Sequence, residues 1–178
     1  MRIVGIDVGF KGAIVLIESE KNLISWSPIP YRADKIVDFD LLNRRFERFE
    51  NVDMIYIEKV IGRGGWGAGP IFAFGINYGQ ILAHFYNRPT TLLTPTKWQS
   101  LTHIGTDEGT AKERSMASFV RLNPNAEIKK SWDGFVDAFH IARYGAFHYH
   151  KINVANWDFL NLGEITWNLH KLIFYPKK

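Results

Sequence analysis

"RIVGIDVGFKGAIVLIESEKNLISWSPIP", residues 2–30, holds three apolar runs separated by two turns. "RIVGID" and "GAIVLIES" flank a turn with Gly9 and Gly12, and "KNLISWSPIP" follows a polar break around Glu20–Asn22. Short apolar runs rich in Ile and Val between such turns predict three strands in an antiparallel meander. Working outward, residues 35–50, "KIVDFDLLNRRFERFE", place Ile36, Phe39, Leu42, Phe46 and Phe49 at helical spacing, with the charges on the other face. "DMIYIEK" at 53–59 is a fourth strand, apolar on both faces, which suits a central, parallel position. A glycine-rich loop, "VIGRGGWGAGP" at 60–70, leads into a helix over "IFAFGINYGQILAHFYN". "TTLLTP" is a short fifth strand, residues 95–122 hold two short helices around "HIGTDEG", and residues 132–149 form a longer one. This order predicts an α/β chain. It would have a mixed five-stranded sheet, three antiparallel strands then parallel ones, with helices on both faces.

With 178 residues the chain is long enough for one domain with a substantial core. A hydrophobic share of 46% and an aromatic share of 15% exclude a disordered chain. Residues 1–150 are expected to form the domain. Residues 151–178, with Trp157, Phe159, Trp167 and Phe174, read as an appendix that packs back on it. No apolar run approaches the roughly 20 residues that span a bilayer. The start reads as a strand, not a signal peptide, so a cytoplasmic protein without membrane contact is expected. The absence of cysteine excludes disulfides, thiolate zinc sites and cysteine nucleophiles. A net charge of +4 mildly favours an anionic partner, and the basic residues are spread so that folding must assemble any basic surface.

Two strands end in acids, Asp7 and Glu58, and functional residues of α/β sheets gather at the carboxyl ends of strands. If the two strands are parallel neighbours, these acids lie side by side. The last helix, "SWDGFVDAFHIARYGAFHYH" at 131–150, carries Asp133 and Asp137 four residues apart on one face. If it packs across the sheet, all four acids meet. Two like charges about 5 Å apart repel by roughly 3 kcal/mol at an effective dielectric of about 20. The cluster therefore needs protons or divalent cations. Two Mg²⁺ would balance four carboxylates, and an all-oxygen set suits Mg²⁺ or Mn²⁺ rather than zinc. Two metals about 4 Å apart serve phosphodiester hydrolysis. Each acid also has an ordinary reading: Asp7 in a turn, Glu58 at an exposed strand end, Asp133 as a helix N-terminal residue. Asp137 is the hardest to read that way, because Phe135, Val136, Ala138 and Phe139 surround it and a lone buried carboxylate is costly.

The chain resembles the phage-type RuvC-like Holliday junction resolvases of the RNase H-like superfamily. The resemblance lies in "GIDVGFKGAIVLIE" at 5–18, "IYIEKV" at 55–60, "FAFGINYGQILA" at 72–83, "GTAKERS" at 109–115 and "DGFVDAFHIARYG" at 133–145. These pieces come in family order and cover most of residues 1–147. The resemblance implies an RNase H-like fold, a homodimer, and nicking of four-way junctions or other branched DNA with two Mg²⁺ per site, Mn²⁺ substituting. It implies Asp7, Glu58, Asp133 and Asp137 as metal ligands and Lys112 as a basic residue near the scissile phosphate. Val8 stands where the family usually has Pro. Bacterial members usually place the penultimate acid three residues before the last, where this chain has Gly134. Lys11, Arg63, Trp66, Lys97, Lys112 and Arg114 are the expected DNA contacts. Trp66 reads either as a base-stacking residue or as a cover for core surface. Gly75 and Gly79 share a helical face, which suits either the family's subunit interface or close packing on the sheet. His140 reads as a satisfied core histidine. A phage-encoded protein would work in the host cytoplasm.

With the four acids in a site, the other 14 stand against 22 basic residues, a surplus suited to phosphates. Rival readings are a flap or general branched-DNA nuclease on the same fold, and a DNA-binding module without catalysis. An actin-like ATPase would need a second D-x-G hairpin and a longer chain. "GIDVGFKG" is not the G-x-G-x-x-G of a dinucleotide site.

Overall fold

The computed structural model describes residues 1–46, 51–60, 67–102, 108–126, 128–129, 131–155 and 157–161. Three strands, β1 (Arg2–Ile6), β2 (Ala13–Glu18) and β3 (Leu23–Pro28), form the predicted antiparallel meander. Then follow α1 (Phe39–Phe46), β4 (Met54–Glu58), α2 (Ala68–Phe85), β5 (Thr90–Leu93), α3 (Pro95–Thr102), α4 (Ala111–Leu122), α5 (Asp133–His150) and β6 (Asp158–Asn161). The sheet order is β5-β4-β1-β2-β3-β6. β4 lies between β1 and β5 and is parallel to both, the central position its two apolar faces require.

Strand alternation splits the core into two layers. On one face Ile3, Val15, Ile17, Ile24, Trp26 and Tyr56 pack under α5, with Trp98 of α3 and Phe119 of α4. On the other, Val4, Ile6, Ile14, Leu16, Ile55 and Ile57 pack with Leu42 of α1 and Ile81 and Phe85 of α2. Helices thus cover both faces, as expected for an RNase H-like fold. α5 crosses β1 at Gly5, where a Cβ would collide with the Ala138 carbonyl and with Ala142. Only the missing side chain lets the helix approach the strand this closely.

Two boundaries and the number of strands differ from the sequence reading. The first helix starts at Phe39 rather than Lys35, because Asp38 caps it: its Oδ1 accepts from the Leu41 N–H at 2.9 Å. Residues 31–37 form a loop instead, closed by an isolated bridge between Tyr31 and Val37. α2 starts at Ala68, inside the stretch read as loop. The five expected strands gain a sixth, since β6 pairs in parallel with β3 and extends the sheet edge. Before it, Val154 is fully buried and Trp157 packs against the core. Packing on the sheet does not explain Gly75 and Gly79: no described atom lies within 4 Å of where their Cβ atoms would be. Arg63, Trp66, the "HIGTD" stretch, Phe49, Trp167 and Phe174 lie outside the described residues.

Candidate active site at the carboxyl ends of β1 and β4

The register between β1 and β4 ends at the pair Ile6 and Ile57, so Asp7 and Glu58 follow as neighbours. Side-chain alternation sends both to the α5 face, in phase with Gly5 and Tyr56. Asp7 is held by the hairpin turn. Its N–H donates to the Ala13 carbonyl at 3.1 Å, and its Oδ1 accepts from the Gly9 N–H at 3.1 Å. Glu58 accepts a hydrogen bond from the Trp98 indole N–H at 3.2 Å.

α5 brings the other two acids. Its first turn is fixed by rings: Trp26 of β3 meets Trp132 at 5.0 Å and Phe135 at 4.5 Å between centroids. Asp133 sits between these anchors as the first residue of the helix. Gly134 lies directly on the β1–β2 turn, where a Cβ would overlap the Lys11 carbonyl. No acid therefore fits three residues before Asp137, and the position four before it carries one instead. Asp137 lies one turn further along, hydrogen-bonded to the Ser115 hydroxyl. His140 is buried, and its Nε2 donates to the Ser115 carbonyl at 2.9 Å.

The charges identify the cluster. The Asp7 carboxyl is pushed up to about 8, by burial first and then by the charges of Glu58, Asp137 and Asp133. Burial, with Glu58 and Asp133, pushes Asp137 up to about 7, against Ser115 and Lys112, which pull it down. Asp7 is thus within electrostatic reach of the other three predicted acids, and Asp137 of Glu58 and Asp133. Lys112 forms an ion pair with Asp133, whose side chain is 13% exposed. A capping box between Thr110 and Glu113 starts α4 and sets Lys112 in its first turn. Lys11 in the hairpin turn and Lys97 on α3 are exposed, whereas Arg114 is partly buried.

The donor set fits a hard divalent cation: it is all oxygen, brings four carboxylates together with the Lys112 ammonium paired to Asp133, and keeps the buried Asp133 Oδ1 without a hydrogen-bond partner among the described residues. Among those residues no three such side chains form a ready-made metal cage. Asp7, Glu58, Asp133 and Asp137 are each turned to a partner of their own, namely Gly9, Trp98, Lys112 and Ser115. Sequence reading missed Trp98, Ser115 and Tyr31. "TPTKWQS" gives no sign of what its indole bonds, while Thr110-x-x-Glu113 was a legible helix start.

Comparison with solved structures places this architecture. Thermus thermophilus RuvC matches with a TM-score of 0.56 and 18% identity, over 87% of this chain and 98% of that one. The chain has the fold of RuvC. The T. thermophilus RuvC structure in complex with a Holliday junction substrate matches at a TM-score of 0.55 and 14% identity, over 87% of this chain and 99% of that one. No protein-family model and no curated protein matches. Within the RuvC fold of this chain, the acids lie where two parallel strands end beneath a crossing helix. No helix among the described residues is long and apolar enough to cross a membrane.

Proposed function

We propose that this chain is a divalent-metal-dependent endonuclease that cuts branched DNA, with the four-way junction as its substrate. The observation that carries the reading is the gathering of Asp7, Glu58, Asp133 and Asp137 from three elements, where burial first and then the neighbouring carboxylates raise Asp7 to about 8 and Asp137 to about 7. A structural role explains no such arrangement, since a buried acid cluster without counter-charge only destabilises. The four acids would hold two Mg²⁺, or Mn²⁺ in its place. When bound, such ions stabilise the attacking and leaving oxygens of phosphodiester hydrolysis. Lys112 neutralises Asp133 in the metal-free chain, and at 58% exposure it can turn to a phosphate. Lys11 and Lys97 extend the basic surface on the hairpin and on α3, Arg114 adds to it from α4, and Arg63 and Trp66 are proposed as contacts to the junction itself. The likeness to RuvC, solved with a Holliday junction, supports the choice of substrate.

A homodimer supplies the second cut. α2 leaves Ile71, Phe72, Gly75 and Gly79 exposed along one side, Phe72 at 72%. A second copy seated on this stripe would cover large apolar side chains where small residues allow close approach. Two sites then act on opposed strands, so paired nicks resolve the junction.

The test is cleavage of a labelled four-way junction, a flap and a linear duplex, with and without Mg²⁺, by wild type and Asp137→Asn. Symmetric junction cuts by wild type alone are expected. Equal cutting of flaps or duplex would leave the chemistry and remove the junction preference. Binding without cleavage under any divalent metal would make the chain a DNA-binding module.

A further inference from the structure

Between the β1–β2 turn, the 31–37 loop and the start of α2 lies a cleft of about 580 Å³, lined by Phe10, Tyr31, Lys35, Gly69, Pro70 and Ala73. It falls in the size range of small-ligand sites, roughly 300–1,000 Å³. Its chemistry is specific. Phe10 is in the β1–β2 turn, three residues from Asp7, yet 44% exposed. Its ring stands 5.9 Å from that of Tyr31, tilted by 50°. The Tyr31 hydroxyl donates to the Gly9 carbonyl at 2.9 Å, and the Gly9 N–H donates to Asp7 at 3.1 Å. One residue therefore joins the aromatic wall to the candidate metal ligand.

The opposite edge is equally built. Lys35 adopts a left-handed conformation, φ 62°, unusual for a side chain of its length. Its N–H donates to the Arg32 carbonyl at 2.9 Å, and its own carbonyl accepts from Asn77 Nδ2 at 2.9 Å. Asn77 is 1% exposed, and its Oδ1 accepts from the Val37 N–H at 3.0 Å. A buried side chain on α2 thus commits both ends of its amide to shaping this loop. No described carboxylate pairs with the Lys35 ammonium. Across the cleft, Gly69 meets nothing within 4 Å at its Cβ position, so the α2 side stays open.

We infer that this cleft is a nucleotide-binding subsite. It takes one unstacked nucleotide of the cleaved strand, its base against Phe10 and Tyr31 and its phosphate on Lys35. Aromatic walls, an apolar floor and a lysine that no described carboxylate pairs match a base and its phosphate. The choice of occupant follows from the link to Asp7: Tyr31 and Asp7 both hydrogen-bond Gly9, so a strand held at the acids meets the turn that carries Phe10. The inference rests on the nuclease reading and deepens it. A branch point offers unstacked nucleotides that a continuous duplex provides only by breaking its own stacking, so the subsite makes branched DNA the better substrate.

The test separates the subsite from the nuclease reading. A short single-stranded oligonucleotide carrying one 2-aminopurine is titrated, without Mg²⁺, into wild type, Phe10→Ala, Phe10→Trp and Lys35→Gln. Stacking quenches 2-aminopurine, so wild type should lower its fluorescence on binding. Phe10→Ala should weaken binding about tenfold or more, the scale of losing a base–aromatic stack, and Phe10→Trp should restore it. Lys35→Gln should weaken binding and flatten its salt dependence. Because Phe10 and Lys35 lie at the surface, the variants should melt as wild type does. Binding by Phe10→Ala as tight as by wild type, or no quenching by wild type, overturns the subsite whether or not the protein cuts junctions. Junction cutting by wild type, measured separately with Mg²⁺, tests the nuclease reading.

Discussion

At the scale of the residue, the acids set the chemistry and their partners set the acids. Asp7 and Asp137 are raised to about 8 and about 7 from an ordinary value of 3.8, so the folded chain holds protons that the unfolded chain has lost. Stability is therefore fully present below about pH 4 and is lost as pH rises through 7 and 8. The metal-free protein should melt at a lower temperature at pH 8 than at pH 5. Asp137→Asn, neutral throughout, should be more stable than wild type at pH 8, the difference vanishing near pH 4. Mg²⁺ should restore wild type at pH 8 and do less at pH 5, where the ligands must first release protons. The same variant should lose cleavage by more than about 100-fold, beyond what removal of a mere supporting partner does. Calorimetric melts across pH and single-turnover cleavage check these outcomes. Trp98 is a positioning residue. Trp98→Phe keeps an aromatic ring but loses the indole N–H on Glu58, and should raise the Mg²⁺ concentration for half-maximal activity roughly 10–100-fold, with less effect at saturating metal. Unchanged Mg²⁺ dependence would leave Trp98 a core residue only.

At the scale of the element, α5 is the beam on which the site rests. Its apolar rhythm was legible, and so was the spacing of Asp133 and Asp137 on one face. That it crosses β1 at Gly5 and touches the hairpin at Gly134 was not, because a glycine in a sequence does not reveal what approaches it. The four-residue spacing of the acids has a steric cause at Gly134. Gly134→Ala should destabilise the fold by roughly 1–3 kcal/mol or more, an overpacking effect read from the urea midpoint. A variant as stable as wild type would mean that the turn yields without resistance. The first helix shows the opposite case. Apolar spacing extended it back to Lys35, but Asp38 supplies a cap and releases residues 31–37 to form one wall of the cleft.

At the scale of the whole molecule, the sheet carries acids on one face and α2 with its exposed stripe on the other. Phe72→Glu should convert the proposed dimer to a monomer in sedimentation, while retaining the Mg²⁺-dependent rise in melting temperature. A dimer that survives this change uses another surface. DNA affinity should fall with salt at a log–log slope of about −0.9 per phosphate contact, and charge reversal at Lys11 or Lys97 should reduce that slope by about one contact.

The sequence by itself determined the meander, the central parallel strand, the helices on both faces and the four candidate acids. These follow from local period, turn residues and the carboxylates that end strands, all of which act over a few neighbours. Only the tertiary structure decided which partner each acid keeps, why Gly134 is a glycine, that the C-terminal stretch adds a strand beside β3, and that Phe10, Tyr31 and Lys35 line a cleft tied to Asp7 through Gly9. Those features join residues far apart in the chain, and such pairings exist only once the sheet and its helices have packed.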